Sequence, residues 1–205
     1  MNHAILFILT VCGTVFRGHY MVAGYPDGAP EGTCEIMYPG HHTKPEDPTS
    51  SLIAPQTGKP FYSIVVDKTK VNPGEEVQVT LQADEYYFEG FLIQVRDVTV
   101  QTSQGVARKY GTFTALSNDT KALCKNQALT HATHYHFNST TMKWTAPNET
   151  IENVRFTATV VKGYKTFFLN VHSEVLNFSS PSPSVVPSLA LILFLFCFML
   201  YGHSF

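Results

Sequence analysis

Residues 86–98 (YYFEGFLIQVRDV) constrain the fold more than any other segment. Aromatic and branched residues follow one another there with few polar interruptions, up to the charged pair Arg96 and Asp97. This density predicts a central β-strand with both faces largely buried. Gly90 within it indicates a bulge or a close backbone approach, and we interpret Arg96 and Asp97 as an ordinary surface or strand-end pair.

Further strand-like segments surround this one, and turn signals such as 72–74 (NPG) separate them. They are 61–67, 77–83, 110–116, 129–137, 142–145, 154–161 and 167–175. No segment of the sequence shows sustained helical periodicity. About eight short strands therefore predict an all-β sandwich, and the Pro-, Gly- and His-rich residues 25–60 predict an irregular N-terminal segment.

The two ends of the chain differ from its middle. An apolar run at 4–16 and small residues at 22–24 predict that residues 1–24 are a signal peptide. Serine and proline dominate 179–188, which we interpret as a linker before an apolar tail at 189–205. Because the apolar run of the tail is short and lacks a cationic flank, we expect a glycolipid anchor at Ser179; a single membrane-spanning helix is the alternative.

The four cysteines separate into two groups once these ends are set apart. Cys12 lies in the predicted signal peptide and Cys197 in the tail, which leaves Cys34 and Cys124 in the exported part. In an oxidising compartment a disulfide between them is the simplest expectation, and two unrelated buried thiols are the alternative. A bridge would close a loop of roughly 90 residues and contribute on the order of 4 kcal/mol in the loop-entropy description.

Four acceptor sequons stand in the exported part, at Asn118, Asn138, Asn148 and Asn177. Placed in predicted turns or linkers, they predict a glycosylated extracellular surface. The formal net charge is -2 and no cluster of Lys or Arg occurs, so the sequence predicts no nucleic-acid partner.

Three histidines, His131, His134 and His136, are the sharpest candidates for chemistry. On a strand, His134 and His136 would face one side and His131 the other, so at most two imidazoles converge. A metal site needs a third ligand, which His41 or His42 would supply only through folding. We therefore predict no metal site.

No motif for catalysis or for a cofactor is present in the sequence. It contains no G-x-S-x-G nucleophile motif and no phosphate-binding glycine loop, so we predict neither enzymatic activity nor a cofactor. We expect Trp144 to pack across the core, with a ligand platform as the alternative. Tyr86, Tyr87 and Phe88 are interpreted as the entry to a strand, with an exposed aromatic patch as the alternative.

The exported part carries a series of landmarks, each weak alone and specific in combination. They are YPDGAP at 25–30, Cys34, PG at 73–74 before VQVTL at 77–81, FEGFLIQVR at 88–96, GTF at 111–113, Cys124, TH at 130–131, WTAP at 144–147 and VRFTATV at 154–160. Together they resemble the reelin-type (Reeler) domain family, and we place this domain at 25–178. The resemblance implies an immunoglobulin-like β-sandwich with a Cys34–Cys124 disulfide, and a structural hydrogen-bonding role for His131.

The family implies three kinds of protein: secreted invertebrate proteins linked to defence against microbes, matrix proteins such as reelin and the spondins, and ferric-chelate reductases. We expect an extracellular binding protein tethered to the plasma membrane by its tail, which recognises microbial surface or glycan ligands in innate defence. The alternative is an adhesive or matrix-type module that binds extracellular proteins or glycans. An electron-transfer role would need the haem-binding and membrane domains of the reductases, which this sequence does not contain.

Overall fold

The computed structural model describes residues 25–98 and 108–179. The predicted signal peptide 1–24, the tail 189–205 and nearly all of the linker lie outside these residues. The described part contains ten strands and a 3₁₀ helix at Glu31–Thr33, and none of its helices is long and apolar enough to cross a membrane. The strands are β1 Tyr62–Val66, β2 Lys70–Val71, β3 Glu76–Ala83, β4 Gly90–Asp97, β5 Thr112–Ala115, β6 Thr120–Leu123, β7 Ala128–His131, β8 Ser139–Thr145, β9 Val154–Gly163 and β10 Thr166–Phe178.

The strands form two sheets that face each other across one hydrophobic core. Four strands pair in the order β1-β3-β8-β5 and six in the order β2-β10-β9-β4-β7-β6. Every neighbouring pair is antiparallel except β2 and β10. The predicted all-β sandwich is thus confirmed. The strands that the alternation did not predict, β2 and β6, have only two and four residues.

Strand β4 occupies the interior of the six-stranded sheet, between β9 and β7. Every residue of the strand up to Arg96 is buried, which confirms the prediction of a strand covered on both faces. Phe91, Ile93 and Val95 point into the core between the sheets. The alternate residues must face the other way, and Leu92 there packs against the N-terminal segment.

Trp144 on β8 lies in the core with no exposed surface. Its ring packs edge-on against Phe156 of the opposite sheet at a centroid distance of 5.4 Å. Its indole N–H donates to the carbonyl oxygen of Tyr110 at 2.9 Å. This bond satisfies the one polar group of the side chain, which burial would otherwise leave without a partner. Trp144 is therefore a core residue, as predicted.

The predicted strand 129–137 is wrong in its second half. Strand β7 ends at His131, and the backbone N–H of Ala132 donates to the carbonyl oxygen of Asp119 in the β5–β6 turn instead of continuing the ladder with β4. Residues 133–136 are exposed. The chain pairs again at Phe137, in an isolated bridge with Phe88. The side chains of these two residues are buried in the core, whereas those of 133–136 are exposed.

Candidate binding cleft

Residues 25–60 form an arm that lies against the outer face of the six-stranded sheet. Apart from the 3₁₀ helix and a single bridge between His42 and Leu52, the arm is irregular, as predicted. The disulfide between Cys34 and Cys124 joins it to the end of β6, with the two Cα atoms 5.7 Å apart. A small apolar cluster of Cys34, Met37, Leu92, Cys124 and Ala128 surrounds the bridge. The expected disulfide is confirmed.

Arg96 fastens the same part of the arm, which corrects its interpretation as a surface residue. Its side chain is only 2% exposed. The guanidinium donates to the carbonyl oxygens of Cys34 at 2.9 Å and Glu35 at 2.8 Å, and to the Gln94 side-chain oxygen at 2.7 Å. A fixed fork of donors suits several carbonyl acceptors at once. Leu92, Gln94 and Arg96 share the outward face of β4, a period-two pattern that the sequence contained.

Thr130 and His131 hold the start of the arm. The Thr130 hydroxyl accepts from the backbone N–H of Ala29 at 3.0 Å and donates to the carbonyl oxygen of Phe91 at 2.6 Å. His131 Nε2 lies 2.9 Å from the carbonyl oxygen of Tyr25 and must donate to it, so Nδ1 accepts from the Phe91 N–H at 3.3 Å. Burial lowers the pKa of His131 and favours this neutral form. The structural role of His131 is confirmed.

Two glycines make room for this junction. Gly28 has a φ of +112°, and a β-carbon there would lie 2.4 Å from the carbonyl oxygen of His131. A β-carbon on Gly90 would lie 2.8 Å from Cε1 of the His131 ring. Gly90 is therefore a site of close approach, one of the two roles predicted for it.

A second attachment binds the middle of the arm to the hairpin between β9 and β10. The His41 ring stacks on the Tyr164 ring at 4.5 Å, and its Nδ1 lies 2.6 Å from the Tyr164 carbonyl oxygen. The backbone N–H of His42 donates to the Tyr164 hydroxyl at 3.1 Å. The Thr159 hydroxyl on β9 donates to the carbonyl oxygen of Met37 at 2.6 Å. Burial lowers the pKa of His41, against the smaller opposite effect of its bond to the Tyr164 carbonyl.

Between these attachments the arm and the sheet enclose a cleft of about 440 Å³. This volume lies within the usual range of ligand sites, about 300–1,000 Å³. The sheet supplies the floor through β4 and β9, the arm supplies one wall, and loop residues form the mouth. The lining residues of the sheet are Gly90, Leu92, Thr159 and Val161, and those of the arm include Pro26, Ala29, Pro30, Met37 and Pro39; three loop residues that keep exposed surface, Glu89, His134 and Tyr164, define the mouth.

The candidate histidines do not converge. His131 bonds the arm, whereas His134 lies at the cleft mouth. His136 stacks on the Tyr87 ring at 3.9 Å, and its Nε2 lies 3.4 Å from a Glu89 carboxylate oxygen. His41 lines the same cleft but bonds Tyr164, as does the backbone of His42.

In the part of the chain that the structure describes, one group of His, Cys, Asp or Glu side chains is close enough to share an ion: Glu31, Cys34 and Cys124. Two of its three potential ligand atoms are the sulfurs of the disulfide. A disulfide sulfur is not the thiolate that a metal requires, so this group does not fit a metal.

The aromatic residues before β4 are only partly a strand entry. Phe88 is fully buried and pairs with Phe137, but Tyr86 and Tyr87 are 44% and 40% exposed. For these two the alternative of an exposed aromatic pair is the correct one. Lys162 Nζ lies 3.9 Å above the centre of the Tyr86 ring. The exposure of Tyr86 and Tyr87 was not predicted, because a run of three aromatic residues does not indicate which of them points inward.

All four sequon asparagines are exposed. Asn118 lies in the β5–β6 turn and Asn138 and Asn148 flank β8, but Asn177 lies within β10 and not in a linker. Ser179 directly follows β10, is exposed, and donates its backbone N–H to the carbonyl oxygen of Val71 at 3.0 Å. Glycosylation at the four sites and the anchor at Ser179 stay predictions.

The arrangement defines a class of protein: a β-sandwich module, stapled by one disulfide, with a cleft between an N-terminal arm and the outer face of a sheet. Comparison with known families identifies it further. The Reeler domain family matches residues 32–184, and the chain belongs to that family. The reeler domain of human F-spondin has the same fold, with a TM-score of 0.51 at 20% identity over 60% of this chain and 92% of that one.

Two relatives show the range of proteins that contain such a domain. One from Antheraea mylitta, named "Putative defense protein 3", is 31% identical over 75% of this chain and 86% of its own length. Ferric-chelate reductase 1 of Mus musculus is 26% identical over 81% of this chain but only 26% of its own length. The chain thus spans about a quarter of the reductase, as it does for the similar protein of Xenopus laevis.

Proposed function

We propose that this chain is an extracellular Reeler-domain binding protein, tethered to the outer face of the plasma membrane, that recognises a microbial surface component in innate defence. The observation that carries the proposal is the cleft between the arm and the sheet. A concave, mostly apolar site with a few polar groups at its mouth is the usual form of a ligand site. The likeness to a protein named as a defence protein over most of its length supports the choice of ligand.

The strand register supports a tether at Ser179 that leaves the cleft accessible. Strand β10 begins beside Gly163, which lies next to Glu89 of the cleft mouth, and Leu176 near its other end pairs with Val154, the first residue of β9. The strand has thirteen residues, so it is at most about 40 Å long at the usual rise. An anchor attached at Ser179 would therefore lie near one end of the sandwich, with the cleft mouth at the other.

Binding fits the cleft better than catalysis does. His131, one of its two buried imidazoles, uses both ring nitrogens in contacts with the backbone, so neither nitrogen of this ring is free to act as a base. The reductase relative of Mus musculus is about three times as long as this chain, and the region that matches this chain is about a quarter of it. We therefore propose no reductase activity for this chain.

The test uses the full chain displayed or secreted by cultured animal cells, with fluorescent bacterial envelope fractions, polysaccharides and matrix proteins as ligands. Val161→Phe places a ring in the cleft, and Val65→Phe makes the same change on the exposed face of β1. We expect envelope binding that Val161→Phe abolishes and Val65→Phe preserves. Binding to matrix proteins alone, unaffected by Val161→Phe, would overturn the proposal in favour of an adhesive module.

The tether has a separate test. Phosphatidylinositol-specific phospholipase C on intact cells is expected to release the protein, because a glycolipid anchor at Ser179 is its substrate. Full retention, with the Phe205 end still detectable on the mature protein, would indicate a membrane-spanning helix instead.

A further inference from the structure

We infer that the cleft holds a single aliphatic chain, and that the neutral, hydroxyl-bearing head group of the same molecule lies at the mouth beside Glu89. The inference rests on the proposed function, since it assumes that this cleft is the ligand site, and it deepens that function by naming the class of ligand. A microbial glycolipid with a single aliphatic chain would be an amphiphile of this kind.

The hydrogen-bond donors of five side chains that line the cleft are already engaged. Thr33, Tyr38 and Thr159 each donate a hydroxyl to a backbone carbonyl oxygen of the arm. The rings of His41 and His131 each bond a backbone carbonyl oxygen as well. A sugar placed inside would therefore receive no hydrogen bond from these groups, and each of its oxygens left without a donor would be buried at a cost. A hydrocarbon chain has no such groups to satisfy.

The remaining lining is apolar and stiff. Met37, Leu92 and Val161 present aliphatic side chains, and four prolines of the arm restrict its backbone. A cleft of about 440 Å³ lies in the lower half of the usual range of small-ligand sites, about 300–1,000 Å³, and so suits one alkyl chain better than two.

The mouth has the opposite character. Glu89 places a carboxylate there, with His136 Nε2 3.4 Å from one of its oxygens, and the exposed His134 also lines the cleft. A carboxylate accepts hydrogen bonds from hydroxyl groups and repels an anion. The mouth therefore favours a sugar-like or other hydroxylated neutral head over the carboxylate of a free fatty acid.

The experiment measures binding of octyl, decyl and dodecyl maltoside to the purified full chain by calorimetry, below their micellar concentrations, with decanoate as the anionic counterpart. We expect affinity to rise about two- to fourfold with each added methylene, as burial of apolar surface dictates, and decyl maltoside to bind more tightly than decanoate. Val161→Phe is expected to abolish binding, whereas Val65→Phe leaves it unchanged, which also separates the cleft from any apolar surface elsewhere. Glu89→Gln is expected to narrow the difference between decyl maltoside and decanoate.

Each outcome decides between the two proposals. Affinity independent of chain length, or binding that Val161→Phe leaves intact, overturns the aliphatic-chain inference. If envelope polysaccharide binds in a Val161-dependent manner while no alkyl maltoside does, the inference fails and the proposed function stands. If alkyl maltosides bind in the cleft but no microbial fraction does, the inference stands and the proposed function fails. Should Val161→Phe not fold, the Glu89→Gln comparison still tests the placement of the head group.

Discussion

Replacing Gly90 with alanine tests the junction between the arm and the sheet. The new β-carbon would lie 2.8 Å from Cε1 and 3.2 Å from Nε2 of His131, so the ring must shift. Nε2 is the atom that bonds the Tyr25 carbonyl oxygen, and a shift of the ring weakens that bond. Without a clash the same substitution in a strand would be favourable, because it restricts the unfolded chain. A loss of stability in Gly90→Ala would therefore indicate the contact with the His131 ring, whereas a gain would indicate that the contact is absent.

The magnitude follows from three contributions. Overpacking a buried contact costs about 1–3 kcal/mol, and a weakened hydrogen bond costs about 0.5–1.5 kcal/mol. Reduced freedom of the unfolded chain offsets about 0.4–1 kcal/mol. The free energy of unfolding is therefore expected to fall by about 2 kcal/mol.

Urea unfolding, followed by the fluorescence of the single Trp144, measures this difference. Gly58→Ala is the matched control, because nothing lies within 4 Å of a β-carbon there, and it should change stability by less than about 0.5 kcal/mol. The double variant with His131→Ala removes the ring that is contacted, so most of the cost of Gly90→Ala should disappear. The reasoning is refuted if Gly90→Ala is as stable as Gly58→Ala, or if its cost persists without the His131 ring.

Three further outcomes are expected from the same unfolding assay. Arg96→Met removes the guanidinium donors to the Cys34 and Glu35 carbonyl oxygens and to the Gln94 side-chain oxygen, and should cost about 2–5 kcal/mol. The exposed Arg108→Met should cost less than about 0.5 kcal/mol, and equal effects would contradict the buried role of Arg96. Replacing both Cys34 and Cys124 by serine should cost about 4–5 kcal/mol for a separation of 90 residues, and no loss would contradict the chain-entropy account. Stability should fall as pH drops below about 6.5, because burial lowers the pKa of three histidines in the folded chain and the unfolded chain then binds more protons. Burial lowers the pKa of His172 to about 4, with the Arg155 charge as the smaller cause, so His172→Gln should flatten this dependence between about pH 6.5 and 4; an unchanged slope would count against it.

Alternation predicts most clearly the strands whose inward-facing side chains pack in the core between the two sheets. Strand β3 runs from Glu76 to Ala83 and β9 from Val154 to Gly163, each within two residues of its predicted bounds. By contrast, β2 is only two residues long and is held by its parallel pairing with the end of β10. A pairing between segments so far apart in sequence leaves no local period to recognise.

The sequence by itself determined the features that depend on local pattern or on residue type. Alternating apolar residues predicted the sandwich, the two cysteines of the exported part predicted their bridge, and the density of residues 86–98 predicted a strand covered on both faces. These features follow from side-chain direction along an extended chain and from thiol chemistry, which neighbouring residues suffice to specify.

Only the tertiary structure decided the features that require distant segments to meet. Arg96 has the sequence context of a surface residue and became buried because the arm, 62 positions earlier, brings the Cys34 carbonyl to its guanidinium. His131 bonds Tyr25, and the cleft exists only where the arm lies across β4 and β9. Backbone carbonyl oxygens are the same in every residue, so a sequence does not reveal which of them will accept a bond from a distant side chain. That choice, and the cleft that results from it, is made by the packing of the folded chain.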